Sequence, residues 1–99
     1  MNTLTFNDVS KTITTSFLIE SFFPSRLNDE SSFFRFKIKD TDLTFKLHYF
    51  HGYDTNDEED IECCLHVYKE ANKTGSYCGE FSRILEVVNN SINGNIKKI

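Results

Sequence analysis

Ninety-nine residues with a net charge of −4 leave room for one small domain and no second one. Ten Phe and four Tyr argue against intrinsic disorder, which requires few aromatics and low hydrophobicity. No apolar run approaches the ~18 residues of a membrane-spanning helix, and Met1–Phe6 lacks a basic region followed by an apolar one, so no secretory signal is visible and a cytoplasmic location is expected.

Residues 1–7 read as an N-terminal segment that leads into a helix over about 8–23. Asp8 would cap it, and Val9, Ile13 and Phe17 recur at helical spacing with Leu18 and Phe22 beside them. Thr12, Thr14 and Thr15 weaken that pattern, because β-branched side chains lose rotamer freedom in a helix. Pro24 ends it, and Ser25 to Ser32 reads as a polar loop.

Two strands follow. Phe34, Phe36 and Ile38 alternate with Arg35, Lys37 and Lys39; Leu43, Phe45, Leu47 and Tyr49 alternate with Thr44, Lys46, His48 and Phe50. The inward set is even-numbered on one strand and odd-numbered on the next, so paired residue numbers must sum to an odd value. A sum of 81, with a four-residue loop, is preferred over 83, because Thr41-Asp42 lacks the Asn-Gly chemistry of a two-residue turn.

An acidic loop runs from His51 to Asp60. Ile61, Cys63, Leu65 and Val67 then alternate as a third strand, and Glu70 to Gly75 reads as a loop. Tyr77, Phe81, Ile84, Leu85, Val88 and Ile92 form a helical stripe, with Ser76 as N-cap and Gly94 as the residue past its end. Residues 95–99 read as a short frayed tail. The expected fold is α+β, ordered α-β-β-β-α, with a three-stranded antiparallel sheet and the C-terminal helix packed on its apolar face. This order is similar to that of the double-stranded RNA-binding domain. That family opens its second helix with a lysine cluster, whereas Ser76-Tyr77-Cys78-Gly79-Glu80 holds no base, so the chain is not assigned to it.

Cys63, Cys64 and Cys78 are odd in number and read as free thiols. The sequons Asn72-Lys73-Thr74 and Asn89-Asn90-Ser91 carry no weight in a protein outside the secretory pathway.

Charge is segregated along the chain. Ser31–Phe50 holds four Lys/Arg against two Asp, whereas His51–Glu62 holds no base against six Asp/Glu. Tyr53, Asp54, Asp57, Glu58, Glu59 and Asp60 therefore form the first candidate site, a patch for docking on a basic protein surface. Asp54, Asn56 and Glu58 imitate the start of an EF-hand loop, but Glu59 replaces the turn glycine and Leu65 the bidentate Glu, so that motif is excluded. Arg35, Lys37, Lys39, Lys46 and His48 form the second candidate, a basic outer sheet face. Phe33, Phe50, His66 and Tyr68 lie at its margins and could stack nucleotides.

His48, His51, His66 and the cysteines lack the paired spacings of a zinc site. Lys73-Thr74-Gly75-Ser76 imitates an anion-binding helix start, but one glycine and one cap residue are routine. No nucleophile elbow, phosphate-binding loop, dinucleotide fingerprint or zinc-protease motif occurs, so no enzyme, metal or cofactor is expected. The leading expectation is a small acidic module that binds or inhibits a basic, nucleic-acid-binding host protein, in the manner of proteins encoded by phages and mobile elements. Its competitors are a nucleic-acid-binding module and a homodimer or scaffold built through Phe33, Phe50 and Tyr68.

Overall fold

A computed structural model describes residues 4–53, 56–57 and 59–94. The chain is α+β, with element order α1 (Phe6–Ser16), β1 (Ile19–Arg26), β2 (Ser31–Ile38), β3 (Leu43–Phe50), β4 (Cys63–Lys69), β5 (Asn72–Gly79) and α2 (Phe81–Asn93). The strands form one antiparallel meander in the order β1-β2-β3-β4-β5. The sheet thus has five strands, not three, and the likeness in element order to the double-stranded RNA-binding domain ends there.

Helix α1 starts earlier and stops sooner than its apolar spacing predicts. Thr5, not Asp8, is the N-cap: its hydroxyl accepts from the Asp8 amide, while the Asp8 carboxylate accepts from the Thr5 amide. This reciprocal cap holds the Asp8 carboxyl below its ordinary pKa. Thr12, Thr14 and Thr15 donate their hydroxyls back to the carbonyls of Asp8, Ser10 and Lys11. Such back-bonding weakens a helix, and Phe17 is already extended, with φ −132° and ψ 154°. Residues 19–26, expected as helix end and loop, form β1 instead.

The β2–β3 register is Ser31↔Phe50 through Phe36↔Phe45, a sum of 81 as expected. The Thr41 hydroxyl organises the connecting turn, donating to the Ile38 carbonyl and accepting from the Leu43 amide, and Asp40 takes a left-handed φ of 63°. Strand β5 replaces the expected loop and the first turn of the expected helix. Tyr77 lies on this strand, not on α2, and Glu80 rather than Ser76 is the helix N-cap. Gly94 caps the other end in a right-handed conformation (φ −81°), donating to Asn90 and Ile92.

Both helices cover one face of the sheet. Phe34, Phe36, Phe45, Leu47, Tyr49, Leu65 and Val67 are buried there against Val9 and Ile13 of α1 and Phe81, Ile84 and Val88 of α2. Phe6 stacks on Phe34, Phe17 on Phe36 and Phe36 on Phe45, and Tyr49 meets Phe81 edge-on. No helix among the described residues is long and apolar enough to cross a membrane.

Candidate nucleic-acid interface

The strand registers fix the layout of the uncovered face. One row runs across all five strands through directly opposed residues: Phe23, Arg35, Lys46, His66 and Ser76. On one side of it lies the row Ser25, Phe33, His48, Cys64 and Cys78; on the other lie Ser21, Lys37, Thr44, Tyr68 and Lys73. Arg35, Lys37, Lys46 and His48 thus meet on one surface as expected. Lys39 lies just past the end of β2, where it lines a depression with Leu18 and Ile92. The chain turns after Ile38, and the Lys39 amide donates to the Leu18 carbonyl beyond the sheet end.

Arg35 and Lys46 are like charges in direct opposition on the neighbouring strands β2 and β3, an arrangement that destabilises a sheet. Each turns away from the other onto a ring on its far side. The Arg35 guanidinium lies 4.9 Å from the centre of the Phe23 ring, and the Lys46 ammonium 4.7 Å from that of Tyr68. Lys37 pairs with Glu20 at 3.1 Å, with both side chains about half exposed. His48 packs between Phe33 and Phe50, and burial holds its pKa below the ordinary value. His66 Nδ1 meets the Ser76 hydroxyl at 2.8 Å.

Phe23 and Lys73 were not legible as site residues because their strands were not. A β-bulge near Glu20 breaks the period-2 pattern of β1, and β5 is an edge strand with almost no apolar alternation. Cys64 and Cys78, expected as free thiols, are directly opposed and form a disulfide; Cys63, on the core side, is the free thiol, and burial pushes it up to about 12. Disulfides are rare in the cytosol, so the cysteines no longer favour a cytoplasmic location.

The other candidate patch lies at the sheet end that bears the β1–β2 and β3–β4 connections. Asp54 and Glu58 fall outside the described residues. Asp57 organises its own loop, its side chain accepting from the Glu59 amide and its carbonyl from the Asp60 amide. Glu30 joins Glu59 and Asp60 around a depression of about 440 Å³ that Tyr53, Phe50 and Ile61 also line. Tyr53 is half-buried, and burial, with nearby Glu62 and Glu80, raises its pKa.

Two polar constellations resemble catalytic geometry. Ser32 Oγ and His51 Nε2 are 2.7 Å apart, and His51 Nδ1 lies 2.7 Å from the Leu4 carbonyl. A carbonyl only accepts, so Nδ1 carries a proton and donates to Leu4, and in the neutral ring Nε2 accepts from Ser32. Ser32 is 0% exposed, which denies a substrate access to it. The pair instead staples the N-terminal segment to β2. Nearby, Tyr49 donates to Glu62 at 2.6 Å and accepts from the Leu4 amide, while the other Glu62 oxygen accepts from the Phe81 amide at 2.8 Å. Burial, then the bond to Glu62, raises the Tyr49 pKa. This carboxylate serves the start of α2, whose N-cap Glu80 makes no side-chain cap bond.

Among the described residues, no group of three or more His, Cys, Asp and Glu is placed to hold a metal ion. Comparison with family models, curated proteins and solved structures finds no match to this chain.

Proposed function

We propose that this protein is a non-enzymatic binding module whose open sheet face takes the phosphate backbone of nucleic acid. The observation that carries this reading is the opposition of Arg35 and Lys46, flanked by Phe23 and Tyr68, on a face that neither helix covers. Folding gains nothing from that opposition, whereas a polyanion lying across it relieves the repulsion. Local departures of this kind concentrate at functional sites. Under this reading the protein meets its target inside the cell, where a disulfide such as Cys64–Cys78 is uncommon.

The net charge of −4 opposes non-specific binding, so the contact depends on this face alone. Fluorescence anisotropy of labelled oligonucleotides at several salt concentrations tests it. Three phosphate contacts, from Arg35, Lys46 and Lys73, give a log–log salt slope of about −2 to −3. Charge reversal by Arg35→Glu with Lys46→Glu should abolish binding and leave the melting curve intact. Retained binding would refute the reading.

A second reading keeps the acidic end as a docking site for a basic protein, the inhibitor role of phage-type acidic modules. It is favoured by Glu30, which the β1–β2 connection adds to Glu59 and Asp60, and by Ile61, 44% exposed beside them. In that case the variant Asp57→Lys/Glu59→Lys/Asp60→Lys loses a partner that the wild type captures, while nucleic-acid binding is absent from both.

A further inference from the structure

Resting on the nucleic-acid reading, we propose that the open face selects single strands, seating one base on Phe23 and another on Tyr68, with the intervening phosphates on Arg35 and Lys46. Phe23 is 55% exposed on β1, a large apolar surface left in water without a partner element. Tyr68 faces the same side from β4. A depression of about 390 Å³ joins them, with the two rings on its walls and Arg35, Lys37 and Lys46 between. Glu70 also lines it, and its carboxylate disfavours phosphate beside it.

In the free protein the two cations occupy the ring faces. A surface cation–π contact is weaker than a charge-assisted hydrogen bond to phosphate, above all the bidentate one that arginine makes. An arriving strand therefore draws the cations off the rings and exposes two stacking platforms in one step. The aromatic rings hold the cations in place until the ligand comes, which reduces their mutual repulsion in the meantime.

The spacing specifies the form of the ligand. Three strand separations and one pleat repeat set the two platforms roughly 16 Å apart. A stacked strand rises about 3.4 Å per base, so neighbouring stacked bases cannot reach both rings. Roughly 16 Å is about five stacked steps, so the two seated bases are several nucleotides apart, and each must splay out of the stack to lie on its ring. A duplex hides the faces of its bases and reaches only the cations. Stacking is sequence-tolerant, so composition should matter less than strandedness.

The test is anisotropy of the full chain with a labelled 15-nucleotide oligothymidylate and with a 15-base-pair duplex at low salt. Ring proton shifts of Phe23 and Tyr68 are followed in parallel by NMR. The expected result is at least tenfold tighter binding of the single strand. Phe23→Leu and Tyr68→Leu should each weaken it about tenfold, with no such loss of duplex affinity, and Tyr68→Phe should keep the wild-type affinity. Both rings lie on the solvent side, and thermal melts confirm that the variants fold. Equal affinity for the duplex, or single-strand affinity untouched by either leucine variant, overturns the proposal. Absence of binding to both forms overturns the nucleic-acid reading beneath it.

Discussion

Glu62 is the side chain through which the N-terminal segment, β3, β4 and α2 are joined, and its removal should cost far more than its half-exposed position suggests. Glu62→Ala takes away the acceptor of the Tyr49 hydroxyl (2.6 Å) and of the Phe81 amide (2.8 Å). Tyr49 is 0% exposed, so bulk water reaches its hydroxyl only by entering the space that Glu62 leaves. Each bond to a charged group contributes ~1.5–3 kcal/mol, and a carboxylate at a helix start a further ~0.3–1 kcal/mol. Water can reach the Phe81 amide through the space left by the side chain, so the sum is placed at roughly 3 kcal/mol, or about 12–24 °C in Tm for a domain of this size.

Glu62→Gln is milder. Its amide oxygen still accepts from Phe81, but its NH2 faces a Tyr49 hydroxyl that already accepts from Leu4. The cost is about 1–2 kcal/mol. Urea unfolding followed by circular dichroism, with Tyr49→Phe and the double variant Tyr49→Phe/Glu62→Ala, checks both values. The double variant should lose well under the sum of the singles, because the two side chains share one bond. A Glu62→Ala loss below ~1 kcal/mol, or additivity, would refute the account.

Three further outcomes follow from other parts of the molecule. Lys46→Thr removes one of two opposed like charges and should leave stability unchanged or raise it by up to ~0.5 kcal/mol in urea unfolding, while weakening oligonucleotide binding. Gly79→Ala places a side chain at φ +155° at the β5–α2 junction; although open space surrounds it, the backbone strain should cost ~1–3 kcal/mol, read as a lower urea midpoint. Stability should also fall in alkali. Cys63 ionises near 9 when unfolded but near 12 when folded, and the Tyr49 pKa is raised above its ordinary 10. The folded chain holds these protons more tightly, so stability is full below about pH 9 and declines as pH rises toward 12. The urea midpoint between pH 7 and 11 should show this decline, and Cys63→Ala should make it shallower.

The three inner strands were legible because each obeys a simple rule. Each has one buried face and one wet face, so Phe34, Phe36, Phe45 and Leu47 repeat at period 2, and parity sets the register. The edge strands obey neither condition. In β1 the bulge shifts Phe22 and Phe23 out of phase with Ile19, and Phe17, Leu18 and Phe22 then imitate a helical stripe. In β5 the chain from Asn72 to Gly79 has almost nothing to bury, so no pattern marks it. Tyr77 stands four residues before Phe81 and extends the stripe of α2 by coincidence of spacing. The basic face was therefore legible at its centre, in Arg35, Lys37, Lys46 and His48, but not at its flanks, where Phe23 and Lys73 lie. The disulfide was hidden for the same reason: without β5, nothing sets Cys78 opposite Cys64.

The two rims of the sheet are not equivalent. The β1 rim carries a proline at position 24, which has no amide hydrogen, and a bulge near Glu20. The β5 rim has no proline, and from Gly75 to Gly79 its register is regular. Strand addition is thus disfavoured along the β1 rim, and among the described residues the regular stretch from Gly75 to Gly79 is the more receptive rim. Sheets with two receptive rims can join head to tail without limit, whereas one receptive rim allows only a β5-to-β5 pairing. That pairing is two-fold and consumes both receptive rims, so it closes on itself and cannot grow into a fibre.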